Sequence, residues 1–288
     1  MLEPGFYNMD CMKGMSEFPD KYFNLAVCDP PYGIGESGSR NKTRGGLAKA
    51  TDYKPFFGND AAAPDAAYYQ ELFRVSQNQI IFGANHFISK IPYDSPCWIV
   101  WDKENGDNDF ADCELAWTSF HSAVRIFRFR WAGMMQGDMK NKEVRIHPTQ
   151  KPVRLYSWIL NRYAKAGDKI LDTHVGSASS LIACHRAGLE YVGFEIDPHY
   201  YEKAAKRLNE EKAQISIFDL AGGVLLIIVS DTNLKGCEEP CSTRMQSPGA
   251  TLRRDVRISR TMNTLPSGSD AAVRTVTRRN RRTLTKNC

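Results

Sequence analysis

The stretch "KILDTHVGSASSLIACHRAGLEYVGFEIDPHYYEKAAKRL", residues 169–208, contains two apolar runs that are each followed by a helical pattern. The first run ends in a loop of small residues, 172–177, and the second ends in Glu195. Strand, tight loop, helix, strand and acid is the βαβ order in which the loop approaches a cofactor and the acid binds a ribose diol. The sequence therefore predicts a site for a nucleoside-type cofactor, with a plain βα turn as the alternative.

The rest of residues 1–218 also alternates apolar runs with helical patterns, which predicts an α/β fold with a mostly parallel sheet and helices on both faces. The strand candidates are 23–28, 79–83, 97–101, 124–128, 169–172 and 191–195. The helix candidates are 65–75, 152–165, 178–187 and 198–212. The last helix follows Asp197 and begins with Pro198, a cap and a favoured first residue. The run 214–218 could add a final short strand.

The net charge of +5 is unevenly distributed. Residues 219–288 carry 12 Lys/Arg and 6 Asp/Glu, whereas residues 1–218 carry 26 and 27. The basic tail is rich in Ser, Thr, Arg, Pro and Gly, a composition that predicts disorder or weak folding. The tail could contact DNA, be an unstructured extension, or be the end of an out-of-register reading frame. The second and third interpretations together are favoured.

Several classes of protein are disfavoured by the sequence. It lacks an apolar run of about 18 residues, and its first residues lack signal-peptide features, so we expect a cytoplasmic protein without membrane contact. The 8 cysteines are scattered, and we expect reduced thiols. Cys237 and Cys241 form a single C-x-x-x-C without a second ligand pair, so no metal site is predicted.

A second informative stretch is "CDPPYGIG", residues 28–35, which follows the apolar run 23–27. Two adjacent prolines have fixed φ angles and no N–H groups, so the loop is stiff and its carbonyls stay available as acceptors. A rigid acceptor loop at the end of a strand predicts a functional site.

Three motifs together resemble the amino-methyltransferases of DNA. They are Asp29-Pro30-Pro31-Tyr32, "HPTQKP" at 147–152, and the loop 172–177 followed by "FEID" at 194–197. Their order is that of the permuted, β-type class, in which the catalytic half precedes the cofactor half. The resemblance covers about residues 7–212.

The resemblance implies a Rossmann-like, S-adenosylmethionine-dependent methyltransferase fold in a domain of residues 1–218. Its catalytic half would be about 7–101 and its cofactor half 147–212. Target-recognition segments would occupy about 35–57 and 102–146, leaving 219–288 as the tail.

The chemistry explains the residue types of the first motif, whose four residues are the predicted catalytic set. An exocyclic adenine amine is a poor nucleophile because its lone pair is delocalised into the ring. If the carboxylate of Asp29 and the carbonyl of Pro30 each accept one N–H, that lone pair can point at an electrophilic methyl group. Pro31 stiffens the loop, and Tyr32 would stack on a base flipped out of double-stranded DNA.

The implied methyl donor is S-adenosylmethionine, and the resemblance assigns its contacts. These are Glu195 for the ribose, Asp172, His174, Gly176 and Ser177 for the methionine part, Thr149 and Lys151 for the carboxylate, and Asp10 for the adenine. Thr173, His174 and Ala178 stand where the family usually has proline, phenylalanine and a second glycine. A left-handed conformation at Ala178 would be strained and would weaken donor binding. We interpret His174 as packing on the donor rather than as a general base.

The activity predicted is site-specific methylation of adenine N6, because an acid at position 29 is more typical of adenine enzymes. The alternatives are cytosine-N4 methylation, methylation of RNA or of a protein amide, and a non-catalytic DNA-binding module that has lost the donor. A bacterial or phage enzyme, alone or paired with a restriction nuclease, would suit the resemblance.

Two segments are candidates for DNA contact. The glycine-rich loop after Tyr32 carries basic residues suited to phosphates, namely Arg40, Lys42, Arg44 and Lys49. The segment 125–145 mixes arginine and tryptophan and is the candidate for target reading. The oligomeric state stays open between monomer and homodimer.

Overall fold

The structure, a computed structural model, describes residues 1–35, 53–54, 60–106, 111–132 and 134–220, with side chains described as far as residue 214. The chain divides into the units Met1–Ile227 and Ile228–Cys288. The second unit lies outside the described residues, so the predictions for the tail stay predictions.

The first unit contains both helices and strands. The helices are α1 Cys11–Ser16, α2 Ala66–Val75, α3 Val153–Tyr163, α4 Ser179–Arg186 and α5 Pro198–Leu220. The strands are β1 Gly5–Asn8, β2 Phe23–Cys28, β3 Ser76–Phe82, β4 Trp98–Asp102, β5 Cys113–Thr118, β6 Arg125–Arg128, β7 Trp131–Ala132, β8 Met135–Gln136, β9 Lys169–Asp172 and β10 Glu190–Glu195. Strands β3 to β8 follow one another without an α-helix between them, and short 3₁₀ turns lie at Ala84–His86 and Ile88–Lys90.

Within the described residues, one eight-stranded sheet has the order β1-β10-β9-β2-β3-β5-β4-β6. The first five strands in this order are mutually parallel. β5 runs antiparallel to β3 and β4, β6 is parallel to β4, and β7 and β8 pair separately as a short antiparallel ribbon. The predicted α/β class with a mostly parallel sheet is confirmed.

The strand order reverses between β9 and β2. These strands are direct neighbours, with Leu25 opposite Ile170 and Ala26 opposite Leu171. From β9 the chain continues through α4 to β10 on one side, and from β2 it continues through α2 to β3 on the other. Ligands bind in α/β sheets beyond the carboxyl ends of strands at such a reversal. This topology therefore locates the candidate site between the loops that follow β9 and β2.

Helices cover both faces of the sheet, as predicted. One core contains buried residues of α3, α4 and α5, such as Ile159, Leu181 and Ala204, against Leu25 of β2. The other core contains residues of α1 and α2, such as Met15 and Leu72. The central strand β2 is buried on both sides along most of its length, which is why it appears as a nearly continuous apolar run in the sequence.

The predicted strands and helices all occur, with boundaries that differ by up to three residues at most ends. One prediction is wrong, because residues 214–218 belong to α5 rather than to a final strand. The helix α5 includes these residues and spans 23 residues in all, Pro198–Leu220. The predicted start of α5 is confirmed, since Asp197 Oδ1 accepts a hydrogen bond from His199 N at 2.9 Å.

Candidate active site

The predicted site residues lie at one edge of the sheet. Asp10 follows β1, Glu195 ends β10, Asp172 ends β9, and Asp29 follows β2. Because these four strands are parallel neighbours in that order, their carboxyl ends bring the acids into one row. Residues separated by up to 185 positions in the chain are thereby collected at one edge.

Glu195 is held in place by backbone N–H groups. Its Oε2 accepts from Gly176 N at 2.8 Å and its Oε1 accepts from Asp197 N at 2.9 Å. Burial raises its pKa, which these hydrogen bonds oppose. A carboxylate can accept about four hydrogen bonds, so both oxygens retain capacity for a pair of hydroxyl groups. Asp10 is placed similarly, with Oδ1 capping α1 through Met12 N at 2.8 Å.

The loop 172–178 makes a sharp turn into α4. Gly176 has φ +57°, and Ala178 has φ 62° and ψ 18°. Ala178 therefore has the left-handed conformation in which an L-residue is strained, and the weakening of donor binding that such strain would cause stays a prediction. Ser177 is turned into the protein, where its Oγ lies 3.0 Å from Ser179 Oγ. Asp172 Oδ1 accepts from His174 N at 3.0 Å, and burial raises the pKa of Asp172 to about 7.

His174 is part of a short chain of polar groups. Its Nδ1 lies 2.9 Å from Thr173 Oγ1, which lies 2.6 Å from Tyr68 OH of α2. The Tyr68 ring meets the imidazole edge-on at 5.5 Å. Burial lowers the pKa of His174 to about 4. The imidazole is therefore neutral at physiological pH, and Thr173 and His174, two of the three residues that differ from the family motif, interact with each other.

This histidine predicts a pH dependence of stability. The unfolded chain protonates His174 near its ordinary pKa of 6.5, whereas the folded protein protonates it near 4. The unfolded state binds more protons between these values, so the free energy of unfolding falls as pH falls from about 6.5 to 4. His174→Phe should remove at most about 3 kcal/mol of that decline. Denaturant unfolding of both proteins at several pH values measures it, and identical pH profiles would contradict it.

The loop 147–152 lies over the loop 172–178, the predicted donor loop. A Cβ placed on Gly176 would be 3.8 Å from the His147 ring, and that ring meets Tyr200 edge-on at 4.4 Å. His147 Nδ1 lies 3.0 Å from Thr149 Oγ1, and burial lowers the pKa of His147 to about 3. The contact predicted between Thr149 and the carboxylate of a donor stays a prediction.

The four residues after β2 form a compact loop. Pro30 is buried, and Asp29, Pro31 and Tyr32 are half-buried. Tyr32 OH donates to Asp29 Oδ1 at 2.7 Å. The Tyr32 ring lies against Gly83, and it stacks on the exposed ring of His86 with centroids 5.3 Å apart and an interplanar angle of 16°. Aromatic surface thus lines one side of the Asp29 carboxylate.

Lys151 contacts the loop of residues 29–32, the predicted catalytic set. Its Nζ forms an ion pair with Asp29 Oδ2, lies 3.1 Å from Glu114 Oε2, and donates to Tyr32 OH at 3.1 Å. Glu114 in turn pairs with Lys103 Nζ at 2.6 Å. The predicted contact of Lys151 with a donor carboxylate is untested, and its observed neighbours are two acids and a tyrosine.

Asp29, Lys151, Glu114 and Lys103 form a chain of alternating charges, and burial and neighbouring charges shift the pKa values of the first three. Burial raises the pKa of Asp29, while the ammonium of Lys151 opposes the rise. Burial alone would lower the pKa of Lys151, but the two carboxylates raise it overall. For Glu114, the two lysines outweigh burial and lower the pKa to about 2. Glu114 and Lys103 were not predicted from the sequence. Their only signal is an acid within the apolar strand of "CELAWT".

Asp60 is a further residue that was not predicted from the sequence. Its carboxylate accepts from the backbone N–H groups of Tyr32 at 2.5 Å, Gly33 at 2.9 Å and Ile34 at 3.1 Å. Asp60 is buried and has φ 52°. It lies 28 positions from Tyr32, and no local pattern links the two. Asp60 therefore fixes the path of the chain directly after the predicted catalytic residues.

Replacing Asp60 with asparagine tests this role. Asparagine tolerates positive φ and keeps one carbonyl oxygen, but its amide nitrogen cannot accept from Ile34 N. We expect a loss of about 1–3 kcal/mol in unfolding free energy and faster amide hydrogen exchange at residues 32–34. Wild-type exchange at these amides in Asp60→Asn would contradict the assignment.

The candidate DNA contacts are described only in part. Arg40, Lys42, Arg44 and Lys49 lie outside the described residues. In the segment 125–145, Arg128 and Arg130 are exposed, and the guanidinium of Arg145 lies 4.3 Å from the Trp131 ring centroid. Target reading by this segment stays a prediction.

Metal ligands, disulfides and membrane helices can be assessed for the described part of the chain. It contains no group of three His, Cys, Asp or Glu side chains that could hold a metal ion. The cysteines described there are free thiols: Cys11, Cys28, Cys97, Cys113 and Cys184. No helix among these residues is both long and apolar enough to cross a bilayer.

Residues 98–207 match the family model described as DNA methylase, of the N6/N4 type. The match includes Glu114, the loop 147–152, the donor loop and Glu195, whereas Asp29 lies outside it. The chain is 24% identical over 240 residues to the type II methyltransferase M2.MboI of Moraxella bovis, covering 71% of this chain and 87% of that protein. The chain is thus similar to DNA methylases of the N6/N4 type over residues 98–207.

Other similar proteins were found as well. The type II methyltransferase M.HpaI of Haemophilus parainfluenzae is 37% identical over 71 residues, which is 25% of this chain and 23% of that protein. Among solved structures, the M1.HpyAVI–SAM complex aligns over 71% of this chain and 98% of its own, with TM-score 0.45 and 18% identity. The PvuII cytosine-N4-specific methyltransferase aligns over 75% and 93%, with TM-score 0.47 and 10% identity.

Proposed function

We propose that this protein is a site-specific DNA methyltransferase that transfers a methyl group from S-adenosylmethionine to adenine N6. One observation carries the proposal. The Asp29 loop and the donor loop follow neighbouring parallel strands, β2 and β9, at the point where the strand order reverses. The same edge therefore holds an acceptor site for an amine and a site for the methyl donor, within a domain whose catalytic half is 7–101 and whose cofactor half is 147–212.

The residues at this edge fit S-adenosylmethionine. Glu195 is an acceptor suited to the ribose hydroxyls, and Asp10, beyond the neighbouring strand, is suited to the adenine. The loop 172–178, with Asp172, His174, Gly176 and Ser177, is suited to the methionine part, assisted by Thr149 from the loop above it. The open space beside Gly176 also supports the fit, because a Cβ built on this residue would have no atom nearer than 3.8 Å. When bound, the donor supplies an electrophilic methyl group on a sulfonium leaving group.

The protein's contribution to the reaction is to position and polarise the target amine. The Asp29 carboxylate and the Pro30 carbonyl accept its two N–H bonds, which directs the nitrogen lone pair away from the ring. Asp29 also stabilises the positive charge that develops on nitrogen during transfer. Tyr32 stacks on the flipped base, which offsets about 1–3 kcal/mol of the cost of unstacking. The excess proton then leaves to solvent, without a dedicated general base.

Adenine is favoured over cytosine by the acid at position 29, and double-stranded DNA in the cytoplasm is the proposed substrate. The motif order supports DNA over RNA or a protein amide. The experiment is modification-sensitive sequencing, with nucleoside mass spectrometry, of DNA from cells that express this chain. N6-methyladenine in one sequence context would support the proposal. N4-methylcytosine would correct the base, and unmodified DNA would refute the activity.

A second candidate function is a DNA-binding module that no longer binds the donor. The strained conformation of Ala178, at φ 62°, favours this alternative because it lies at the turn of the donor loop. Calorimetric titration with S-adenosylmethionine separates the two candidates. Measurable binding by the wild type would exclude the DNA-binding module that has lost the donor. If no binding is measured, that module would be the only candidate left. Ala178→Gly should bind the donor at least as tightly, since glycine relieves about 1 kcal/mol of strain.

A further inference from the structure

Glu114 is the acid of the charge chain that lies farthest from the recognisable motifs. It belongs to β5, in the antiparallel part of the sheet. Its Oε2 is 3.1 Å from Lys151 Nζ and 3.5 Å from Tyr32 OH, and its Oε1 is 2.6 Å from Lys103 Nζ. The side chain of Lys151 is only 4% exposed. Glu114 thus reaches the Asp29 carboxylate through one buried ammonium.

The charge balance explains why this acid matters. Methyl transfer places positive charge on the target nitrogen, which a nearby carboxylate stabilises and a nearby ammonium opposes. Asp29 and Lys151 together carry no net charge. Glu114 adds one negative charge on the far side of Lys151, and Lys103 compensates it only from a greater distance. Asp29, Lys151 and Glu114 together therefore present a net negative charge to the reacting nitrogen.

We propose that Glu114 is a positioning residue for methyl transfer, which acts through Lys151 to keep the field at Asp29 negative. The inference rests on the proposed function, since it concerns the charge that develops on the target amine. Neither the motif around Asp29 nor the loop 147–152 contains this residue.

Several titratable groups face the Asp29 carboxyl from the surrounding elements. Lys151 and Tyr32 contact it directly. Glu114 from β5 changes the pKa of Asp29 through its charge. The charge of Asp29 in turn raises the pKa values of Tyr156 from α3 and Asp172 from β9. Glu114 raises the pKa of Asp29 and Lys151 lowers it. Removing the Glu114 charge should therefore lower the pKa of Asp29, and removing the Lys103 charge should raise it.

The test compares Glu114→Gln, Glu114→Asp and Lys103→Met with the wild type, using two measurements. The first is the pKa of the Asp29 carboxyl by carbon-13 NMR, on the protein without DNA or donor. The second is the pH profile of kcat with DNA and S-adenosylmethionine. We expect Glu114→Gln to lower kcat by about 10- to 100-fold, with the KM of donor and DNA nearly unchanged. Its acidic limb should move to lower pH.

The other variants test the direction in which the Asp29 pKa and the acidic limb of the kcat profile move. Lys103→Met should move the Asp29 pKa and the acidic limb upward, and Glu114→Asp should restore most of kcat because it keeps the charge. A general loss of folding cannot produce opposite shifts. Wild-type kcat and wild-type Asp29 pKa in folded Glu114→Gln would overturn the inference. If that variant does not fold, an unshifted Asp29 pKa in Lys103→Met would overturn it. A wild-type protein without methyl transfer would refute the proposed function, while the NMR titration would still test the coupling.

Discussion

Replacing Asp29 with asparagine is expected to lower the rate of methyl transfer by at least about 100-fold. Asparagine has nearly the same shape but no negative charge, and its amide nitrogen cannot accept an N–H. The variant therefore loses both an acceptor and the charge that stabilises the reacting nitrogen. Lys151 retains Glu114 as a partner at 3.1 Å, so we expect the protein to stay folded. Single-turnover transfer of labelled methyl groups measures the effect.

Asp168→Asn is the matched control for this variant. Asp168 immediately precedes β9, at the opposite edge of the same sheet, where its Oδ2 accepts from Lys165 N at 2.8 Å. The same chemical change at that edge should leave the transfer rate within about twofold of the wild type, because screening weakens charge effects over such distances. Substantial transfer by folded Asp29→Asn would refute the role assigned to Asp29.

Replacing Gly83 with alanine is expected to displace Tyr32. A Cβ at this position would lie 2.1 Å from Cε1 of the tyrosine ring, and Gly83 has φ +68°. The ring must therefore move away from its place beside Asp29. We expect kcat/KM for DNA to fall by more than about tenfold through lost stacking. The left-handed conformation adds about 1–2 kcal/mol of destabilisation. Steady-state kinetics and thermal unfolding measure the two effects.

Gly188→Ala separates the two contributions. Gly188 has φ +65°, and a Cβ added there would meet no atom within 4 Å, so alanine at this position causes backbone strain without a clash. We expect Gly188→Ala to lose about as much stability through backbone strain as Gly83→Ala does. Its rate of DNA methylation should equal that of the wild type. Equal activity losses in both variants would mean that strain alone, and not the position of Tyr32, accounts for the Gly83→Ala defect.

The sequence predicted the central strands β2 and β9 well because they are buried on both faces along most of their length. Such strands appear as short apolar runs, and β2 and β9 have the predicted boundaries. β1 and β5 were missed, because β1 is short and β5 contains Glu114 among apolar residues. The false strand at 214–218 arose from the alternation of polar residues with Ile in "QISIF", whereas the stretch continues the helix α5.

The candidate site was predictable where chemistry is local in sequence. Asp29 directly follows β2 and Glu195 ends β10, so motif and topology agree on their position. Asp60, Glu114 and Lys103 approach the site from other elements. Only the folded chain reveals that Asp60 accepts from Tyr32 N, that Glu114 pairs with Lys151, and that Lys103 pairs with Glu114. Interactions across the fold of this kind leave no periodic pattern in the sequence.

The most direct test of the proposed mechanism is a crystal structure of the protein with target DNA and an unreactive analogue of S-adenosylmethionine. We expect an adenine flipped against Tyr32, with its amino nitrogen within hydrogen-bonding distance of the Asp29 carboxylate and the Pro30 carbonyl. A target base that stays in the duplex, or an amino group bound away from Asp29, would contradict the mechanism.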